Sequence, residues 1–137
     1  MIRLVDQGRQ EEILSFVRSV NGGDQNGGNA TAIGLERDGR LVAGVVYDQF
    51  NGAHVCMHIC AVPGRHWLNR LFLWAMFDYP FNVLKVKRVT GQICSTNADS
   101  IRFAEHIGFT YETRLKDASP NGDLLIYALF KDQCRYI

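Results

Sequence analysis

Apolar residues in the first part of the chain change from strand-like to helix-like spacing and then give way to a loop composition. Ile2–Val5 is a short apolar run typical of an edge strand. Gln10–Val20 has apolar residues at helical intervals with charged residues between them, which predicts an amphipathic helix. Asn21–Asn29 contains four glycines and three asparagines in nine residues, so a flexible loop is expected there.

Two turn dipeptides divide the next part of the chain into strands. Asp38-Gly39 and Asn51-Gly52 each lie between strand-forming runs, and this arrangement is typical of tight hairpin turns. Pro63-Gly64 then ends the last run. The pattern predicts three consecutive antiparallel strands: Ile33–Glu36, Leu41–Phe50 and Ala53–Val62.

The second half of the chain alternates helices with strands. Trp67–Tyr79 is apolar on nearly all sides, which predicts a helix packed on a sheet and ended by Pro80. The later elements are a strand Val83–Cys94, a helix beginning at Asn97, and strands Phe109–Leu115 and Leu124–Phe130 joined by the loop Ser119–Gly122. A strand–helix–strand unit in one sheet pairs in parallel through a right-handed crossover. We therefore expect an α/β (α+β) fold in a mixed, mostly antiparallel sheet with helices on both faces.

Composition limits the class of protein. A chain of 137 residues with 47% hydrophobic residues and a formal net charge of +1 is expected to form one globular domain, residues 1–137. The balanced charge argues against a nucleic-acid surface. No apolar run is long enough for a membrane span, and charges interrupt the N-terminal segment, unlike in a signal peptide. Four cysteines without a Cys-x-x-Cys pair favour reduced thiols in a cytoplasmic protein.

The helix after Cys94 has signals at both ends. Asn97 is a suitable N-cap, because its side-chain oxygen can accept a backbone N–H of the first turn. Asp99 places negative charge where the helix dipole favours it. Gly108 lies where helices commonly enter the left-handed conformation. This segment therefore predicts a strand, a short turn and a capped helix.

The pattern Asn-x-x-Ser-x-x-x-x-Glu-x-x-Gly-Phe, from Asn97 to Phe109 and followed by Glu112, resembles part of the cofactor site of the GNAT superfamily of N-acetyltransferases. The similarity is greatest to the branch that modifies protein N-termini and ribosomal proteins. The order of elements from Ile33 onward fits that fold, and the ending Cys134–Ile137 resembles small phage-encoded members. The resemblance implies the GNAT fold, acetyl-CoA as cofactor and an amine-bearing substrate, either a protein or a small molecule.

The turn Val62–Arg70, between a strand and a helix N-terminus, is the first candidate site. Such a turn offers free N–H groups and a positive dipole end to a pyrophosphate, and Arg65 and Arg70 would add charge. The family pattern Arg/Gln-x-x-Gly-x-Gly/Ala is replaced here by His66, Asn69 and Leu71. The alternative is an ordinary strand-to-helix turn. By resemblance, the cofactor-binding residues near this turn are Cys60, Ala61, Val62, Arg65, His66, Trp67, Leu68, Asn69 and Arg70.

The second candidate site is Asn97 with Ser100. By resemblance, both face the pantetheine arm and the sulfur of the cofactor, and Ser100 is a catalytic candidate. Many members of the superfamily have a tyrosine in this helix as general acid, and Ala104 occupies the matching position. A hydroxyl or a water would then serve the departing thiolate. The alternative is helix capping alone, which requires no ligand.

The third candidate is the alternating set His54, Cys56 and His58, whose side chains share one strand face. These residue types bind zinc, but no fourth ligand is evident and we expect no metal. His58 is the candidate general base, because imidazole exchanges protons near neutral pH. A structural histidine is the alternative. A backbone N–H near Cys60–Val62 is expected to stabilise the oxyanion.

Together these features favour an acetyl-CoA-dependent N-acyltransferase acting on a primary amine, whether a protein N-terminus, a lysine or a small molecule. The alternative is a GNAT-fold protein without catalysis that serves as a binding or assembly module, for instance of a phage. We expect neither nucleic acid nor membrane as a partner, and a homodimer is an open alternative to a monomer.

Overall fold

Strands and helices follow one another in nearly the predicted order. The computed structural model describes residues 2–6, 8–21, 30–63 and 67–137. Within these ranges the α-helices are α1 (Gln10–Asn21), α2 (Arg70–Asp78) and α3 (Ala98–Ile107). The strands are β1 (Ile2–Val5), β2 (Thr31–Arg37), β3 (Arg40–Asp48), β4 (His54–Ala61), β5 (Arg88–Cys94), β6 (Thr110–Ser119) and β7 (Gly122–Phe130).

The strands of the described ranges form one sheet in the order β1-β2-β3-β4-β5-β7-β6. Neighbouring strands are antiparallel throughout, except that β4 and β5 run parallel and are connected through α2. The predicted parallel strand–helix–strand unit and the mixed, mostly antiparallel sheet are therefore confirmed.

Helices cover both faces of the sheet, as expected. Val46 on β3 packs in one apolar cluster with Ile13 of α1. Its neighbour Val45 belongs to a second cluster with Phe72 of α2 and Ile107 of α3. Since successive strand residues point to opposite faces, α1 lies on one face, and α2 and α3 lie on the other.

Two glycines allow α1 to approach the sheet closely. A Cβ atom at Gly44 would lie 2.9 Å from Cγ2 of Val17, and one at Gly34 would lie 3.2 Å from Cγ1 of Ile13. The helix side chains occupy the space that larger strand residues would need. The predicted apolar stripe of α1 is thus buried directly on β2 and β3.

The second helix begins later than the predicted start at Trp67. Asn69 has an extended backbone, and its Oδ1 accepts a hydrogen bond from the Phe72 N–H at 2.8 Å, so it is the N-cap. Trp67 precedes this cap, and its ring packs against Phe72 with the ring centroids 6.2 Å apart. An apolar residue ahead of an N-cap can pack back on the helix without joining it, which explains the incorrect boundary.

The α-helix ends before Pro80, within one residue of the predicted end, but the chain does not leave the helical conformation there. α2 ends at Asp78, and the chain continues in a wider π-helical turn, Tyr79–Val83. Pro80 has no N–H to donate within this continuous stretch, and the Met76 carbonyl four residues before it accepts a hydrogen bond from the Tyr47 hydroxyl. The strand predicted to start at Val83 therefore begins only at Arg88.

The last two strands are longer than predicted. Phe109 was expected to open β6, but it precedes the strand and is buried in the core, and β6 runs from Thr110 to Ser119. β7 begins at Gly122, so that only Pro120-Asn121 connects the two strands.

Part of one prediction lies outside the described residues. Asn21 ends α1, and the remainder of the loop predicted for Asn21–Asn29 cannot be compared. None of the helices in the described part of the chain has the length and hydropathy that crossing a membrane requires.

Candidate functional site

The centre of the sheet is open where β4 and β5 separate. These strands pair only from His54 opposite Arg88 to Cys56 opposite Thr90. β4 continues to Ala61, paired only with β3, and β5 continues to Cys94, paired only with β7. A cleft of 540 Å³ occupies the space between the two separating strands.

The cleft has apolar and polar walls. Its apolar lining comes from both strands, from α3 and from the segment before α2: Met57, Ile59, Trp67, Ile93, Phe103 and Phe109. Its polar lining is formed by His58, Gln92, Cys94, Asn97, Asp99 and Ser100. Met57 and His58 are consecutive strand residues and point to opposite faces of the sheet. The residues that border the cleft therefore include ones whose side chains point to either face.

Asn97 and Ser100 stand together at the N-terminus of α3, as predicted. Oδ1 of Asn97 accepts a hydrogen bond from the Ser100 N–H at 3.2 Å, so the predicted N-cap is confirmed. Gly108 ends the helix with a φ of 114°, in the left-handed conformation that was expected. The hydroxyl of Ser100 makes no hydrogen bond to any described residue. Helix capping thus accounts for Asn97, but it does not account for the Ser100 side chain.

Two hydrogen-bonded residue pairs fix α3 relative to the sheet. The Ser95 hydroxyl accepts the Asp123 N–H at 3.0 Å, while the Ser95 N–H donates to the Asp123 carbonyl at 2.9 Å. Farther along the helix, the Tyr127 hydroxyl donates to Glu105 at 3.0 Å. Burial and this contact raise the pKa of Tyr127. The start of α3 is therefore held beside the cleft from β7.

His58, the candidate base, has a buried carboxylate as its partner. Nε2 of His58 lies 2.9 Å from Oδ1 of Asp48, at the end of β3. The side chains of His58 and Asp48 are 21% and 8% exposed. His58 is also one of the residues that line the cleft, whereas Asp48 is not. The sequence analysis did not find this pair.

The other residues of the alternating set have separate partners. Nδ1 of His54 lies 3.0 Å from the Thr90 hydroxyl, and Gln92 donates to the Cys56 sulfur at 3.7 Å. Burial, followed by the nearby Asp48, raises the pKa of Cys56 to about 11. Among the described residues, no group of three or more His, Cys, Asp and Glu side chains is arranged to hold a metal ion.

The strand-to-helix turn contributes to the cleft in part. Ala61 and Trp67 line it, whereas Leu68 and Arg70 are exposed at the start of α2. Nδ2 of Asn69 is buried and has no hydrogen-bond partner among the described residues. The predicted cofactor residues Arg65 and His66 lie outside the described residues.

Two residues near this turn have hydrogen-bond partners within the protein. The side chain of Cys60 points to the α1 face, where its sulfur is 4.0 Å from the Val17 carbonyl, and burial raises its pKa to about 11. The Val62 N–H donates to the Val42 carbonyl at 2.9 Å. Val62 was expected to help stabilise an oxyanion, but its N–H is already used within the sheet.

Cys94 is a cleft residue that sequence reasoning did not select. It ends β5 immediately before the turn into α3, and its sulfur lies 3.1 Å from the Thr96 hydroxyl. Hydrogen bonds from Ser119 and Thr96 lower the pKa of this thiol. Its position as the last strand residue before a capped helix was a signal in the sequence that could have identified it.

Glu112, which follows the helix motif, lies outside the cleft lining. Both its carboxylate oxygens accept hydrogen bonds from Arg88, at 2.7 and 2.9 Å. Arg88 lowers the pKa of this carboxyl, and the pair connects β5 with β6 across the sheet. Its visible role is structural.

Comparison with solved structures identifies proteins of the same fold. Mutant forms of the spermidine/spermine N-acetyltransferase SpeG from Vibrio cholerae match with a TM-score of 0.77 and 14% identity, covering 96% of each chain. A dodecameric structure of spermidine N-acetyltransferase from the same organism matches with a TM-score of 0.72 and 15% identity, covering 96% of this chain and 94% of the other. Neither a protein-family model nor a curated protein matches by sequence. The predicted GNAT fold is thereby confirmed.

Proposed function

We propose that this protein is an N-acyltransferase of the GNAT superfamily that transfers an acetyl group from acetyl-CoA to a primary amine. The observation that carries the proposal is the separation of β4 and β5. Beyond Cys56 and Thr90, the backbone edges of these strands face one another without pairing. Strand edges carry N–H and C=O groups that require partners. An elongated ligand with amide groups can supply such partners as an added strand does.

The pantetheine arm of coenzyme A fits this requirement. It is a narrow chain with two amide groups and a terminal sulfur, so it can bind strand edges along its length. The apolar wall of Trp67 and Phe103, whose ring centroids are 5.2 Å apart, suits the methylene and methyl groups of such an arm. We place the thioester near Asn97 and Ser100, in agreement with the resemblance of the α3 segment.

The anionic end of coenzyme A would bind at the N-terminus of α2. Helix N-termini attract phosphates through free N–H groups and the helix dipole. Nδ2 of Asn69 is a buried donor without a described partner, and Arg70 adds an exposed positive charge beside it. Asn69 stands in place of a glycine of the family motif, and its Oδ1 caps the helix, which leaves Nδ2 as the donor. These features support phosphate binding despite the altered motif.

The reaction requires a base that deprotonates the acceptor ammonium and a group that hydrogen-bonds the departing thiolate. His58 takes a proton from the ammonium form of the acceptor, and the neutral amine then attacks the thioester carbonyl. The C–N bond forms and the C–S bond breaks. The departing thiolate takes up the proton that the new amide nitrogen loses. The Ser100 hydroxyl would hydrogen-bond the sulfur, and holding both reactants in one cleft would supply much of the acceleration.

The acceptor and the assembly are the next parts of the proposal to measure. The matching Vibrio cholerae proteins are named for spermidine and spermine, which makes a polyamine the first acceptor to test here. A lysine side chain and a protein N-terminus are the other primary amines to include. One matching structure is dodecameric, so the oligomeric state of this protein should be measured with the assay.

Two measurements test the proposal. Calorimetric titration with acetyl-CoA should give saturable heat, and desulfo-coenzyme A should bind comparably as a control for the adenine and phosphate contacts. Incubation with acetyl-CoA and spermidine should release free thiol in amounts equal to the acetylated amine. Binding without transfer to any tested amine would favour the alternative of a GNAT-fold binding module. The absence of saturable binding at millimolar acetyl-CoA would exclude the acyltransferase.

A further inference from the structure

His58 and Asp48 form a largely buried hydrogen-bonded pair between two neighbouring strands. Asp48 ends β3 and His58 lies on β4, and the two side chains share the sheet face that α1 also covers. Asp48 is the more deeply buried partner, with a side chain that is 8% exposed. A buried carboxylate is costly unless it is hydrogen-bonded, so this geometry is strongly favoured in the folded state.

The hydrogen bond to Asp48 determines which ring nitrogen of His58 can accept a proton. A carboxylate only accepts hydrogen bonds, so Nε2 of His58 must carry a hydrogen at 2.9 Å from Asp48. In the neutral ring the remaining nitrogen, Nδ1, then has a free lone pair. Among the described residues, Nδ1 of His58 has no hydrogen-bond partner. The atom that could accept a proton therefore belongs to a residue of the cleft lining, and its side chain is 21% exposed.

Among the described residues, His58 is the hydrogen-bond partner of the Asp48 carboxylate. The residue opposite Asp48 in the strand register is Cys56, whose thiol is neutral near pH 7 because burial raises its pKa to about 11. The histidine four residues before His58, His54, bonds to Thr90 and not to Asp48. A proton taken up by His58 would thus be stabilised by a carboxylate at hydrogen-bond distance.

We infer that Asp48 is a positioning residue that holds His58 in the Nε2–H tautomer, so that Nδ1 receives the proton of the acceptor ammonium. The inference rests on the proposed function and specifies its proton path. One proton passes from the ammonium nitrogen to Nδ1, which gives an imidazolium paired with Asp48. After the C–N bond forms and the C–S bond breaks, the second nitrogen proton goes to the thiolate. His58 is 21% exposed and returns its own proton to water.

A structural role for the pair makes different predictions. If His58 only satisfies the buried carboxylate, substitution should lower stability and leave the turnover of the folded protein unchanged. If Asp48 sets the tautomer, substitution should lower kcat while the KM for acetyl-CoA stays constant. Asp48→Asn is the informative change, because it keeps the size of the side chain but can donate to Nε2 and so favour the wrong tautomer.

The experiment combines imidazole nitrogen NMR with steady-state kinetics. In the parent protein, proton–nitrogen correlations of His58 should report hydrogen on Nε2 and none on Nδ1, with the signal assigned by its loss in His58→Gln. Asp48→Asn should change this pattern. Both variants should lower kcat by about 100-fold or more, the usual range for losing general base catalysis, with the KM for acetyl-CoA within about twofold. His54→Gln is the matched control, a histidine of the same strand outside the cleft lining, and should leave kcat within about twofold.

Failure of the inference and failure of the proposed function are distinguishable. If the parent acetylates an amine and folded Asp48→Asn is equally fast, Asp48 has no positioning role. Detection of hydrogen on Nδ1 in the neutral parent ring would overturn the tautomer assignment directly. If the parent binds acetyl-CoA but acetylates no amine, the proposed function fails, and the catalytic role of the pair fails with it. Circular dichroism of each variant ensures that only folded protein is compared.

Discussion

Substitution of Ser100 is the change in the cleft that best separates an effect on ligand binding from an effect on folding. Its hydroxyl has no hydrogen-bond partner among the described residues, yet the residue lines the cleft beside Asn97. Ser100→Ala removes this one oxygen and keeps the N–H that Asn97 caps at 3.2 Å. The change should therefore affect a ligand and not the helix.

The expected magnitudes follow from these contacts. Alanine is a better helix former than serine by about 0.5 kcal/mol, so Ser100→Ala should melt at the parent temperature or slightly above it. A hydrogen bond from the hydroxyl to the cofactor would contribute about 0.5–1.5 kcal/mol, so its loss should weaken acetyl-CoA binding about 2- to 13-fold. Asn97→Ala instead removes the cap and should cost about 1 kcal/mol of stability whatever the function.

Asn97→Asp completes the comparison, because it keeps the capping oxygen but loses the amide donor. A negative charge at a helix N-terminus is favourable, so this variant should fold about as well as the parent. In the cleft, however, it should weaken the binding of an anionic cofactor. Thermal melting and acetyl-CoA calorimetry on all variants separate the two effects. If Ser100→Ala melts several degrees lower and binds acetyl-CoA unchanged per folded molecule, the serine is structural and our site assignment is wrong.

Other predictions address the remaining parts of the site and the core. Iodoacetamide should alkylate Cys94 before the buried cysteines, because hydrogen bonds lower its pKa, and bound acetyl-CoA should slow this reaction in mass-spectrometric mapping. Gly44→Ala should lower the unfolding free energy by about 1–3 kcal/mol, because its Cβ would lie 2.9 Å from Val17. Gly91→Ala is the control in the same urea titration, since its nearest contact is 3.7 Å. Asn69→Asp should keep the α2 cap but weaken acetyl-CoA binding, and more strongly at low salt; equal affinity would remove this residue from the phosphate site.

Elements with local end signals were predictable from the sequence. α3 lies between Asn97 and Gly108, as expected, because both caps act through hydrogen bonds and backbone conformations within a few residues. The start of α2 was missed although Asn69 was present, because the apolar Trp67 and Leu68 extended the helical pattern beyond the cap. The start of β5 was missed because Lys85, with a φ of 59°, changes the chain direction, and its residue type gives no sign of this.

The His58–Asp48 pair shows why the site was harder to predict than the fold. A two-residue turn at Asn51-Gly52 would pair Asp48 with Val55, and His58 would then point to the opposite face. The actual connection is longer, and Asn51 holds it through Oδ1 contacts of 3.0 Å to the N–H groups of Ala53 and His54. Asp48 therefore pairs with Cys56, on the same face as His58. A single residue of register decides whether His58 has a carboxylate partner.

The separation of β4 and β5 has a consequence for how the site is assembled. His58 and Asp48 come from the antiparallel group β1–β4, whereas Asn97 and Ser100 follow β5 and are held through β7. Strand pairing joins the two groups over the short stretch between His54 and Cys56. In the proposed reaction, the distance from His58 to the thioester would therefore depend on how the two halves of the sheet are held apart. A ligand that hydrogen-bonds both strand edges would fix this distance and also stabilise the folded protein by mass action. Binding of the ligand would then also bring the reacting groups into alignment.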